Sequence, residues 1–215
     1  MLKNIDLIVF DWDGTLMDSV GKIIKNIHYA AAQMNAKKKT DDEVRHIIGL
    51  GLNEAIWRLY PEQSLDFSEA FAEHYRGAYL DSQVAPSRMF EGANDVLLAL
   101  RRAGYHLAVA TGKARRGLTK ALQDSGHMAT FDVTRCADET RSKPHPLMLE
   151  EIMTDMDCAP ANTLMIGDSE YDLQMAQAAG VQAVAVSYGV HTEKHLATFD
   201  PITCLHDIRD LLNFV

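Results

Sequence analysis

Apolar residues recur along the 215-residue chain in two rhythms. Residues 5–10, 105–110, 131–136, 163–166 and 183–187 are short runs of β-branched and apolar side chains, nearly continuous rather than alternating. Such runs read as parallel strands buried on both faces. Helical spacing separates the later four. Val96, Leu97 and Leu100 mark a helix before the second strand, Leu118 and Leu122 one after it, and residues 147–153 another after the third. Leu173, Met175, Ala176 and Ala179 mark a fourth, with Gly180 placed to cap its C-terminus. The pattern predicts an α/β fold: a doubly wound, Rossmann-like parallel sheet.

Between the first two strands lies a stretch without strand signal, far too long for a crossover. Val20, Ile23, Ile24, Ile27, Ala31 and Met34 repeat at helical spacing, and Thr40 with Glu43 forms a capping-box pattern before Val44, Ile47 and Ile48. Residues 52–60 form a third helix, stopped by Pro61, and Ser68 can cap a fourth through Phe71, Tyr75 and Tyr79. The prediction is a small helical bundle, residues 20–81, inserted into a core made of residues 1–19 and 82–215. Its apolar stripes read as bundle interior rather than ligand contacts. Two connectors, residues 14–19 and residues 81–92 with Pro86, would let the bundle close over the core like a lid.

Composition narrows the function classes. Apolar residues make up 47% of the chain, enough for a sizeable core, and the net charge of −9 argues against a partner recognised through nucleic-acid phosphates. Lys37, Lys38 and Lys39 read as a solvated loop. Three cysteines, Cys136, Cys158 and Cys204, fit neither a disulfide framework nor a zinc spacing, and no run is long enough to span a membrane. These features suit a cytoplasmic protein, monomeric or weakly dimeric.

Acids stand at the ends of two strands. Asp11-Trp12-Asp13-Gly14-Thr15-Leu16 follows the first, where a carboxylate projects into the crevice that α/β proteins use for ligands, and Asp13 lies on the same side if the chain stays extended. Gly167-Asp168-Ser169-Glu170-Tyr171-Asp172 follows the fourth, with Asp168 and Asp172 spaced to face one site. A hard divalent cation such as Mg2+ would be satisfied by Asp11, Asp168 and a backbone carbonyl near Asp13. Asp and Gly also build ordinary turns, and Asp168 also suits a helix N-cap. Thr111-Gly112-Lys113 closes the second strand, offering a hydroxyl and N–H groups to phosphate oxygens, and Lys143-Pro144 follows the third.

Asp11-x-Asp13-Gly-Thr, Thr111, Lys143-Pro and Gly167-Asp168-x-x-x-Asp172 resemble, in order and context, the four motifs of the haloacid dehalogenase-like hydrolase superfamily. The inserted bundle resembles the cap of its phosphoglycolate phosphatase-like and β-phosphoglucomutase-like branch. The resemblance implies a Mg2+-dependent phosphatase acting on a small phosphorylated metabolite: Asp11 as nucleophile, Asp13 as general acid and base, Thr111 and Lys143 as phosphate binders. It places Mg2+ on Asp11, Asp168 and the Asp13 carbonyl, with Asp172 supporting them beside Lys143. Gly112 and Lys113 join the substrate contacts, and Gly49-Leu50-Gly51, between two cap helices, falls at a substrate-specificity loop. A phosphomutase shares these residues and is the nearest alternative; a pyrophosphatase, a metal-independent dehalogenase and a non-catalytic binding protein stand further off.

Overall fold

The computed structural model describes residues 4–80 and 87–214. Part of the second predicted connector, residues 81–86 with Pro86, lies outside the described residues. In chain order the elements are β1 (Leu7–Phe10), β2 (Met17–Asp18), α1 (Val20–Gln33), α2 (Asp41–Arg45), α3 (Leu52–Leu59), α4 (Leu65–Leu80) and β3 (Arg88–Met89). There follow α5 (Ala93–Arg102), β4 (His106–Thr111), α6 (Arg115–Ser125), β5 (Val133–Cys136), α7 (Leu147–Asp155), β6 (Thr163–Gly167), α8 (Glu170–Ala178), β7 (Gln182–Val186), α9 (Glu193–Leu196) and β8 (Cys204–Leu205).

Six strands form one parallel sheet in the order β5-β4-β1-β6-β7-β8. The nearly continuous apolar runs follow from burial on both faces. Ile8, Phe10, Leu107, Val109, Leu164 and Ile166 point to one face with α5 and α6, whereas Leu7, Val9, Ala108, Ala110 and Met165 point to the other with α7 and α8. Chain order runs outward from β1 in both directions, so the crevice beside β1 is a topological switch point, the place where open α/β sheets bind ligands. Asp11 is the first residue beyond β1.

The inserted helices share their own apolar cluster, built on Ile24, Ile27, Val44, Ile56, Leu59 and Phe71. Helix α2 opens with the predicted capping box: Thr40 N–H donates to Glu43 Oε2 at 2.7 Å, and Glu43 N–H donates to Thr40 Oγ1 at 3.2 Å. The cap of α4 differs from the expectation. The helix starts at Leu65, with Phe67 N–H donating to Ser64 Oγ, so Ser68 falls within the first turn and donates back to the Ser64 carbonyl. Gly180 lies one residue past the cap of α8, with φ +68°. The connectors pair as a short antiparallel ladder, Met17 with Met89 and Asp18 with Arg88, and β8 extends the sheet beyond the five predicted strands. Among the described residues no helix is long and apolar enough to cross a membrane.

Candidate active site

Asp11 ends β1 with its backbone fixed, its N–H donating to the Ile166 carbonyl of β6 at 2.9 Å. Its side chain is buried, and Oδ2 has no hydrogen-bond partner among the described residues. Lys143 Nζ lies 2.8 Å from Asp11 Oδ1 and 2.6 Å from Asp172 Oδ1, with the lysine wholly buried. Asp168 completes the group: ligand oxygens of Asp11, Asp168 and Asp172 all lie within 4.8 Å of one another. Three carboxyls against one ammonium leave this buried cluster two negative charges in excess when all are ionised. Burial pushes the Asp11 carboxyl up to about 7, against the pull of Lys143, and pushes Asp168 well above the usual range, with the Asp11 and Asp172 charges adding to it. Burial would lower the Lys143 ammonium, but Asp11 and Asp172 raise it instead.

This donor set fits a hard divalent cation. The unpartnered Asp11 oxygen and the charge excess are what such an ion would satisfy. Asp168 is oriented by Thr15, whose hydroxyl donates to Oδ1 at 2.8 Å, and by Val190 N–H, which donates to Oδ2 at 2.7 Å. Asp172 is more fully engaged. Its Oδ1 faces Lys143 and its Oδ2 accepts from both the N–H and the hydroxyl of Ser169, so it supports the lysine more than it offers a free oxygen. Ser169, not Asp168, is the N-cap of α8. A second candidate group, Glu170, His191 and His195, is already bonded internally: Glu170 N–H donates to His191 Nδ1, and His195 Nε2 lies 3.1 Å from Glu170 Oε2.

The Asp13 side chain has partners of its own outside the carboxylate cluster. Ser19 Oγ–H donates to its Oδ1 at 2.5 Å, and Lys113 Nζ lies 2.9 Å from its Oδ2. Lys113 also donates to the Tyr79 hydroxyl of α4 at 2.8 Å, tying the insert to the core. Burial alone would lower the Lys113 ammonium; Asp13, with Tyr79 and Tyr75, raises it above its ordinary value. Arg115, by contrast, is spent on Glu139 and Thr134 at the surface.

The loop Gly49-Leu50-Gly51 sits directly on the core. Gly51 N–H donates to Ser142 Oγ at 2.7 Å, and a Cβ on Gly112 would lie 2.4 Å from the Leu50 carbonyl oxygen and 2.6 Å from that of Gly49. Gly112→Ala is therefore expected to push the loop away, at a cost of about 1–3 kcal/mol in stability. Urea unfolding measures this, and unchanged stability would mean that the loop does not rest there. Gly14 is held as tightly, with φ +85° and a hypothetical Cβ 2.1 Å from Asp168 Oδ2.

A cavity of about 390 Å³ opens at this junction. Asp11, Asp13, Thr111, Gly112 and Lys113 line its core side, and Gly49, Leu50 and Gly51 line the opposite side. Lys143, Asp168 and Asp172 are wholly buried and contribute no lining. All the residues singled out in the sequence thus converge at one end of the sheet. The partners Thr15, Ser19, Tyr79, Ser142, Ser169 and Val190 were not assigned roles by sequence; only Thr15 and Ser169, inside acidic motifs, carried a local signal. The apolar stripes of the insert also do more than expected, because Ile23, Ile27 and Ile47 pack in the bundle and line the cavity as well.

Fold and site together define an α/β protein with a buried acidic centre, holding one lysine, beside a helical insert. The chain belongs to the haloacid dehalogenase-like hydrolases, whose family model matches residues 8–186. It is 30% identical over 213 residues to pyrophosphatase PpaX of Halalkalibacterium halodurans, covering 99% of this chain and 97% of that protein. It is 29% identical over 222 residues to a phosphoglycolate phosphatase of Nitrosococcus oceani, covering 99% of each. The crystal structure of a predicted phosphoglycolate phosphatase from Haemophilus somnus superimposes with a TM-score of 0.89 at 25% identity, covering 100% of this chain and 99% of that one.

Proposed function

We propose that the protein is a Mg2+-dependent phosphatase that hydrolyses a small phosphomonoester through a phosphoryl group carried on Asp11. The observation that supports it most is the buried Asp11 carboxylate, with one oxygen beside Lys143 and the other unpartnered, at the floor of a cavity. In this reading residues 1–19 and 82–215 act as the catalytic core and residues 20–81 as its cap.

A carboxylate and a phosphate monoester repel each other, so attack requires that negative charge be offset before the reactants meet. Lys143 supplies one positive charge, held in place by Asp172. Thr111 and the Gly112 N–H hold phosphoryl oxygens at the end of β4, with the Lys113 N–H donating to Thr111 Oγ1 at 3.2 Å and orienting that hydroxyl. Mg2+, held by Asp11, Asp168 and the Asp13 carbonyl, would supply the remaining charge neutralisation. An Asp11 oxygen attacks phosphorus in line as the ester P–O bond breaks, and Asp13 gives its proton to the departing alkoxide. Asp13 then takes a proton from the water that attacks phosphorus, so Asp11 leaves as a free carboxylate and inorganic phosphate is released. Ser19 and Lys113 hold the two Asp13 oxygens in position for these proton transfers.

The test is phosphate release from a panel of sugar phosphates, nucleotides, phosphoglycolate and pyrophosphate, with Mg2+ and with EDTA. At least one substrate is expected to turn over, and chelation to slow it by about a hundredfold or more. Return of phosphate to the bound product without free phosphate would instead mark a mutase, and turnover unaffected by EDTA would overturn the metal assignment.

A further inference from the structure

We infer that the alcohol half of the substrate is bulky and largely apolar, an aryl or branched-alkyl group rather than a glycolate or a second phosphate. The inference rests on the phosphatase reading, since it takes the cavity at Asp11 as the place where the ester sits.

Three observations support it. A cavity of about 390 Å³ falls within the range of roughly 300–1,000 Å³ of pockets that enclose drug-sized ligands, much more room than a phosphoryl group and two carbons would fill. Its lining is mostly apolar. Asp11, Asp13 and Thr111 lie on the core side, while the insert contributes Ile23 and Ile27 of α1, Ile47, Leu50 and Leu52, with Asn53, Glu54 and Arg76 among them. A phosphoryl group bound at Asp11 and Thr111 therefore leaves the rest of the ester facing a side of the cavity on which the aliphatic side chains of the insert stand beside the acid Glu54. An anionic leaving group would meet them without compensation, and a charge on an apolar wall without a partner is costly. The basic residues do not relieve this: Lys113 is already neutralised by Asp13 at 2.9 Å, while Arg76 and Arg116 line the cavity but are exposed to solvent. The names of the relatives, a pyrophosphatase and a phosphoglycolate phosphatase, already differ in leaving group, so shared motifs do not fix this half of the substrate.

The experiment compares kcat/KM for 2-phenylethyl phosphate, ethyl phosphate, phosphoglycolate and pyrophosphate with Mg2+. The first two have similar alkoxide leaving groups, so their ratio reports the pocket rather than the reactivity of the ester. The 2-phenylethyl ester is expected to lead ethyl phosphate by at least about tenfold and both anionic compounds by more. Ile23→Thr and Ile47→Thr, on separate elements so that one misfolded variant leaves the other, are each expected to lower the 2-phenylethyl to ethyl ratio by about threefold or more. A preference for ethyl phosphate, phosphoglycolate or pyrophosphate overturns the inference and leaves the phosphatase reading standing. A ratio unmoved by both substitutions removes the role given to this wall; no release from any of the four overturns the inference, and the phosphatase reading falls only if the sugar phosphates and nucleotides are inert as well.

Discussion

Asp11→Asn is expected to abolish phosphate release, lowering kcat by at least about 10⁴-fold, while leaving the protein folded. Asparagine keeps the shape of aspartate, so the β1 terminus and its hydrogen bond to Ile166 persist; what disappears is the anionic oxygen that the proposed mechanism directs at phosphorus. The substitution also removes one negative charge from a cluster with too many, so metal-free stability is expected to hold or rise. A pH experiment separates this from simple damage. Burial raises the Asp11 carboxyl from 3.8 to about 7, so between these values the folded, metal-free protein holds a proton that the unfolded chain has lost. Stability from this group is therefore complete below the unfolded value and falls as pH rises toward 7. The Asp11→Asn variant lacks that slope, which thermal unfolding in EDTA across pH 4 to 7.5 would record. Asp13→Asn should keep the nucleophile yet slow turnover by about 10²–10⁴-fold, through loss of proton transfer. Wild-type turnover in purified Asp11→Asn protein would end the covalent mechanism.

The sheet and the acidic centre were legible in the sequence for the same physical reason. Strands buried on both faces must be continuously apolar, so the abrupt appearance of Asp11, Thr111 and Asp168 at their ends stands out, and only the end of a strand brings such distant residues together. What escaped were features without periodicity. The β2–β3 ladder and β8 are two-residue strands, too short for any alternation to register. Ser19 was simply the last residue of a connector, and its bond to Asp13 depends on how tightly the turn after β1 closes. Tyr79 and Ile27 belong to helical stripes whose spacing reveals an apolar face but not whether that face meets another helix or a cavity. The insert's relation to the core, through Lys113–Tyr79 and Gly51–Ser142, likewise pairs residues from separate motifs that only tertiary structure brings together.

Removing the charge of Lys143 should damage folding as much as chemistry. Lys143→Met preserves most of the side-chain length but leaves Asp11, Asp168 and Asp172 buried together with no cation. A buried ion pair contributes little net stability over an apolar replacement, but breaking it from one side strands the other charges, at a cost of about 3–5 kcal/mol. Urea unfolding in EDTA should show that loss, and two additions should reverse part of it. Mg2+ stabilises the variant because it binds the folded cluster and not the unfolded chain. Asp172→Asn in the same chain removes one stranded charge, and the double mutant should recover about 0.5–3 kcal/mol relative to the sum of the single changes. Turnover should remain about 10²–10³-fold below wild type even where stability is restored, because neither addition returns the ammonium that faces the Asp11 oxygen during attack. Activity that recovered together with stability would make Lys143 a structural counter-ion alone, with charge neutralisation at phosphorus left to the cation and the donors at the end of β4.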